Sequence, residues 1–101
     1  MKKVPTYDLE QLKELLKKEE SRYITRRDRK EAAKLGYADE EEMVNRVLKL
    51  QPEEFHKTMP SDTFPSLMQD VYYTFDNTTK LYIKLQKSYS GKGVIVSFKE
   101  A

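Results

Sequence analysis

The stretch Leu81-Tyr82-Ile83-Lys84-Leu85 alternates apolar and polar side chains, and this period of two predicts a β-strand with one buried face. A second alternating stretch, VIVSFK at residues 94–99, follows a glycine-containing turn. In it we expect Val96 and Phe98 to face the core and Ile95 to point away. The two strands then form a hairpin with one uncovered face. The polar side chains expected on that face are Tyr82, Lys84, Ser97 and Lys99.

Two earlier stretches also predict strands. They are Phe55–Met59 and Leu67–Phe75, separated by a loop with two prolines. The sequence DNTT at residues 76–79 is rich in turn-forming residues and connects the second of them to the hairpin. Short connections favour antiparallel neighbours, so the second half of the chain predicts an antiparallel meander.

The first half of the chain has the period of helices instead. Leucines at positions 9, 12, 15 and 16 form an apolar stripe on a helix expected from about Asp8 to Glu19, with Thr6 or Asp8 as its cap. Lys13 is expected to face water. Residues 22–25 (RYIT) form a short extended piece.

Two more helices follow. One is expected over residues 26–35, capped by Thr25 and ended by Gly36, and the other begins after Asp39 and ends at Gln51-Pro52. A chain whose helices precede its strands is typical of an α+β fold. We therefore predict helices packed on one face of a twisted antiparallel sheet. The 101 residues fit a single domain, 1–101, with one core.

Composition excludes several classes of protein. The absence of cysteine rules out disulfides, thiolate metal sites and cysteine nucleophiles. No apolar run reaches the length of a signal peptide or a membrane span, so we expect a cytoplasmic protein without membrane contact. The net charge of +2 does not by itself indicate a nucleic-acid binder, although basic residues cluster between positions 22 and 30.

The side chains of the second half suit chemistry on a phosphodiester. No phosphate-binding glycine loop, zinc-binding histidine pair or nucleophile elbow is present, so we expect no cofactor and no metal. Cleavage of RNA by its own 2′-hydroxyl needs deprotonation of that hydroxyl, stabilisation of the charged phosphorane and protonation of the leaving 5′-oxygen. Lysine, tyrosine and glutamine side chains suffice for all three.

Each candidate also has a structural explanation. A lysine or tyrosine on a strand is usually just the solvent side of an alternating pattern, and spacing alone favours that explanation for Lys57, Tyr82 and Lys99. The single histidine, His56, could act as a base or stack on a nucleotide, but its position favours a partly exposed strand histidine. The basic cluster could grip RNA phosphates or form a solvated helix face. Its members in question are Arg22, Arg26 and Arg29.

Four short blocks are distinctive together: FHKTM at residues 55–59, QDVY at 69–72, LYIK at 81–84 and VIVSFKE at 94–100. In order and spacing they resemble the motility quorum-sensing regulator (MqsR) family of toxins. The resemblance implies a RelE-like fold and a ribosome-independent endoribonuclease that cuts mRNA at a short sequence. It also implies neutralisation by a cognate antitoxin, MqsA-like with a helix-turn-helix, through which alone the toxin would meet operon DNA.

The resemblance further implies the site. Its catalytic positions correspond to Lys57, Gln69, Tyr82 and Lys99. The two lysines would stabilise the phosphorane, the tyrosine would orient the 2′-hydroxyl, and the glutamine would position a phosphate or base. His56 and Lys84 are expected to contact substrate. His56 stands where the family pattern has a tyrosine, a change that could alter the base preference at the cut site.

Two other functions fit the same residues. The protein could be a ribosome-dependent RelE-type nuclease, which would not cut naked RNA. It could also be a non-catalytic module that uses this surface only to bind an antitoxin, RNA or operator DNA, in which case overproduction would not arrest growth.

Overall fold

The computed structural model describes residues 4–101, which form an α+β fold as predicted. Three α-helices precede four of the five strands, and short 3₁₀ turns lie at Glu19–Ser21 and Pro52–Glu54. The helices are α1 (Leu9–Lys17), α2 (Arg26–Lys34) and α3 (Glu40–Val47). The strands are β1 (Arg22–Ile24), β2 (Phe55–Pro60), β3 (Met68–Asp76), β4 (Thr79–Lys87) and β5 (Gly93–Glu100).

The predicted cap residues begin all three helices. Asp8 accepts a hydrogen bond from the Glu10 backbone N–H at 2.9 Å, so it is Asp8 and not Thr6 that caps α1. Thr25 accepts from the Asp28 N–H, and Asp39 caps α3 in the same way. Gly36 follows α2 with φ +97°, a left-handed conformation that glycine adopts without strain.

The sheet is mixed, not antiparallel as expected. Its strand order is β1-β5-β4-β3-β2, and the pairs among β2, β3, β4 and β5 are antiparallel, whereas β1 lies parallel to β5. The three residues of β1 were predicted only as an extended piece, because a strand this short has no alternation from which its pairing could be read. The RelE-like character of the fold stays a prediction from the resemblance.

The core lies between the helices and one face of the sheet. Leucines and valines of α1 and α3 pack there against Leu81, Ile83 and Leu85 of β4. Lys13, expected in water, is buried, because its ammonium group donates to the Leu50 carbonyl at 2.6 Å. Leu15, expected in the stripe, is only half-buried.

A β-bulge in β5 corrects the expected facing of that strand. Leu85 pairs with Ile95 and Lys84 with Ser97, which leaves Val96 as a surplus residue. Ile95 and Phe98 are therefore both fully buried, although two residues lie between them, while Val96 is half-buried outside the core. Simple alternation predicted the reverse for Ile95 and Val96.

Among residues 4–101, no helix is long and apolar enough to cross a membrane.

Candidate functional site

The face of the sheet turned away from the core carries the candidate residues in rows; we call it the open face. Directly paired residues of antiparallel strands point to the same side. Lys57 pairs with Val71, Val71 with Lys84 and Lys84 with Ser97, which makes one row across four strands. This row places Lys57 and Lys84 on one surface.

The neighbouring rows add the other candidates to the same face. Tyr73 pairs with Tyr82 and Tyr82 with Lys99 on one side of the lysine row. On its other side Met59 pairs with Gln69. Lys57, Gln69, Tyr82 and Lys99, which come from four different strands, thus share the open face.

The Tyr82 ring lies beside two ammonium groups. Lys99 Nζ is 5.2 Å from the ring centroid and Lys84 Nζ is 5.8 Å from it. Both distances fit cation–π attraction, which holds the positive charges beside the phenol. An anion that reaches the Tyr82 hydroxyl therefore meets a positive field.

A pocket of about 570 Å³ opens on this surface. Gln69, Lys84 and Lys99 line it from the sheet, Arg27 from α2, and Asp62 from the β2–β3 loop. Gln69 is buried, and its amide Nε2 donates to Gln86 Oε1 at 2.8 Å, which fixes the carboxamide. The Arg27 side chain is largely exposed, and its guanidinium donates to the Val96 carbonyl of the bulge at 3.4 Å.

Lys84 has the most strongly perturbed environment among the open-face lysines. Burial lowers the pKa of its ammonium group, and repulsion by Lys57 and Arg27 lowers it further, while Asp62 and Asp28 oppose the shift. A lysine with a lowered pKa gives up its proton more easily. Lys84 is therefore suited to proton transfer as well as to charge stabilisation.

His56 lies next to an aromatic side chain that sequence reasoning missed. Its ring centroid is 4.7 Å from that of Tyr73, which is in turn 5.7 Å from that of Tyr82. Lys80 Nζ lies 4.3 Å from the Tyr73 ring centroid. Tyr73 is in phase with Gln69 and Val71 on β3, so strand alternation could have identified it.

The three arginines that were expected to contact RNA lie on a separate surface. Arg22, Arg26 and Arg29 line a pocket that shares no residue with the open-face pocket. The Arg22 side chain is only 4% exposed and forms ion pairs with Glu40 and Glu41, so its placement argues against contact with RNA phosphates. Arg29 pairs with Glu40 at 2.8 Å, whereas Arg27, which was not predicted, lies at the candidate site.

Within residues 4–101, no group of three or more histidine, aspartate or glutamate side chains is placed to hold a metal ion.

Comparison with known proteins identifies the family. The family model described as motility quorum-sensing regulator, toxin of MqsA, matches residues 4–100, nearly the whole chain. No curated protein gives a significant match. The predicted resemblance is confirmed, and with it an antitoxin as the partner. The chain belongs to the motility quorum-sensing regulator family and is a toxin of a toxin–antitoxin system.

Proposed function

We propose that this toxin is an endoribonuclease that cuts mRNA by attack of the 2′-hydroxyl, without a ribosome and without a metal. The observation that supports the proposal is that Lys57, Gln69, Tyr82 and Lys99 lie on one open face of the sheet. If these side chains lay on separate surfaces, the proposal would have no structural support. The family to which the chain belongs supports the same conclusion.

Charge stabilisation falls to the cations around the pocket. Lys84, Lys99 and Arg27 line it, and Lys57 lies in the same row as Lys84. Ammonium groups held in place before the reaction stabilise the pentacoordinate phosphorane at little reorganisation cost. Gln69, whose carboxamide is held by Gln86, would position a phosphate oxygen or a base edge.

Proton transfer completes the reaction. The 2′-oxygen bonds to phosphorus as the bond to the 5′-oxygen breaks, which gives a cyclic phosphate and a 5′-hydroxyl. The Tyr82 hydroxyl would hold the 2′-hydroxyl and assist transfer of its proton to solvent water, and a lysine ammonium would protonate the leaving 5′-oxygen. Lys84 is the favoured donor because its pKa is lowered by burial, Lys57 and Arg27.

The experiment is incubation of purified protein with a defined RNA in chelator and without ribosomes, followed by mapping of the cut ends. We expect 5′-hydroxyl and cyclic or 3′-phosphate ends, and loss of cutting in Lys57→Ala, Tyr82→Phe and Lys99→Ala. Lys18→Ala removes the same charge from an exposed position outside the open face and serves as the control. Wild-type rates in all three site variants would refute the assignment, and absence of any cutting would favour a ribosome-dependent nuclease or a binding module.

The physiological setting follows from this activity. mRNA in the cytoplasm would be the substrate, and overproduction without the antitoxin would arrest growth. The antitoxin would be an MqsA-like helix-turn-helix protein, and operon DNA would be contacted only through it. An overproduced Tyr82→Phe variant that arrests growth like wild type would separate toxicity from RNA cleavage.

A further inference from the structure

Three neighbouring aromatic rings, which we call the aromatic row, lie across the open face. His56 on β2, Tyr73 on β3 and Tyr82 on β4 have centroid separations of 4.7 and 5.7 Å. Tyr82 belongs to the proposed cleavage site, whereas Tyr73 and its neighbour Lys80 have no part in that chemistry. The aromatic row therefore contains side chains suited to binding that the proposed reaction does not need.

The surroundings of Tyr73 suit a nucleobase. Its ring is half-buried on a sheet face that no helix core covers, and Lys80 holds an ammonium group 4.3 Å from its centroid. A flexible lysine stem lets that ammonium group leave the ring and meet a phosphate when a base arrives. Aromatic rings interleaved with cations are the pattern of surfaces that bind single-stranded nucleic acid.

The angle between the rings selects the form of the substrate. The Tyr73 and Tyr82 ring planes are inclined by 67°, whereas bases stacked in a duplex strand lie parallel, with a rise of about 3.4 Å per nucleotide. Bases that each contact their own ring must therefore be unstacked and splayed, which only an unpaired strand allows.

We propose that Tyr73, flanked by His56 and Lys80, forms a second nucleotide subsite that stacks the base of an unpaired nucleotide next to the cleaved bond. The subsite rests on the proposed nuclease function and gives it a preference for single-stranded RNA. Tyr73 acts as a positioning residue, because it binds a neighbouring nucleotide and not the scissile phosphate.

The test compares Tyr73→Ala, Tyr73→Phe and Tyr73→Leu on one defined RNA, single-stranded or annealed to its complement. Loss of a base–aromatic stack predicts a rise in KM of about 5- to 150-fold in the Ala and Leu variants, with kcat unchanged and Phe equal to wild type. Leu keeps apolar bulk on the strand, so it separates loss of stacking from loss of folding. Lys80→Ala should reduce the salt dependence of binding by about one phosphate contact, and Lys18→Ala should not.

Binding is measured separately with an RNA that carries one 2′-deoxy nucleotide at the cut position, by fluorescence anisotropy. The nuclease function fails if the wild-type protein cuts no RNA. The subsite fails if Tyr73→Ala and Tyr73→Leu bind this RNA as tightly as wild type, or if Tyr73→Phe is as weak as Tyr73→Ala. It fails also if wild type binds the annealed duplex as tightly as the single strand.

Discussion

Arg22 gives the clearest prediction, because its position assigns it to stability and not to RNA binding. Its guanidinium group is buried and donates to three acceptors. Nη1 reaches the Leu16 carbonyl at 3.3 Å, Nε reaches Glu40 at 3.3 Å, and Nη2 reaches Glu41 at 2.9 Å. These contacts join the end of α1, the start of β1 and the start of α3. We predict that Arg22→Ala destabilises the fold.

The size of the effect follows from what each acceptor loses. The Leu16 carbonyl, at the end of α1, loses its donor in a buried place, at a cost of about 1–3 kcal/mol. The side chains of Glu40 and Glu41 are 26% and 68% exposed and keep water, so their ion pairs add only about 1 kcal/mol. The sum of about 3 kcal/mol is a large part of the roughly 5–15 kcal/mol of a whole domain. It corresponds to a fall in Tm of about 15 °C.

The assay is urea and thermal unfolding followed by circular dichroism. Arg26→Ala, on the exposed side of α2, is the control and should stay within about 0.5 kcal/mol of wild type. Arg22→Lys should lie between the two, because one ammonium group cannot reach all three acceptors. An Arg22→Ala protein that unfolds like wild type, or that stays fully folded but loses RNA affinity, would contradict the reasoning.

Three further predictions concern stability and pH. Asp70 is fully buried and accepts hydrogen bonds from the backbone N–H groups of Thr6 and Tyr7. Asp70→Leu removes both, which should cost about 2–4 kcal/mol and speed amide exchange at these two residues. Burial raises the pKa of Tyr72 from 10.0 to about 12. Because the folded pKa is the higher one, stability should fall as the pH rises from 10 through 12, and Tyr72→Phe should weaken that fall in urea unfolding at each pH. Lys84 has a lowered pKa, so its charged form costs stability at every pH below its folded pKa. Lys84→Met should therefore unfold at higher urea than wild type at neutral pH yet cut RNA more slowly, and a variant that is both less stable and equally active would contradict this.

Periodicity in the sequence predicted most of the fold. Strands β2 to β5 begin and end within two residues of the predicted positions, since β4 and β5 alternate clearly and turn-forming residues separate the strands. Two local features were not predicted. The parallel pairing of β1 depends on where α1 delivers the chain, and the bulge at Val96 depends on pairing with β4. Neither feature can be predicted from the local sequence pattern.

The candidate site was predicted in part. Strand phase and family resemblance together named the residues that share the open face, but Tyr73 was not among them. Composition does not distinguish the members of the basic cluster, because Arg22 and Arg27 are both arginines of one short segment. The first is buried against two glutamates and the second reaches the pocket, a difference that only tertiary packing decides.

The bulge in β5 has a consequence for how this strand tolerates changes in length. Because Val96 is surplus to the ladder, a chain that lacked it would still set Ser97 opposite Lys84 and Lys99 opposite Tyr82. Such a shortened strand would lose the carbonyl to which Arg27 donates. The extra residue thus supplies one acceptor for the Arg27 side chain, and its removal would withdraw that acceptor while the paired side chains of β5 kept their orientation.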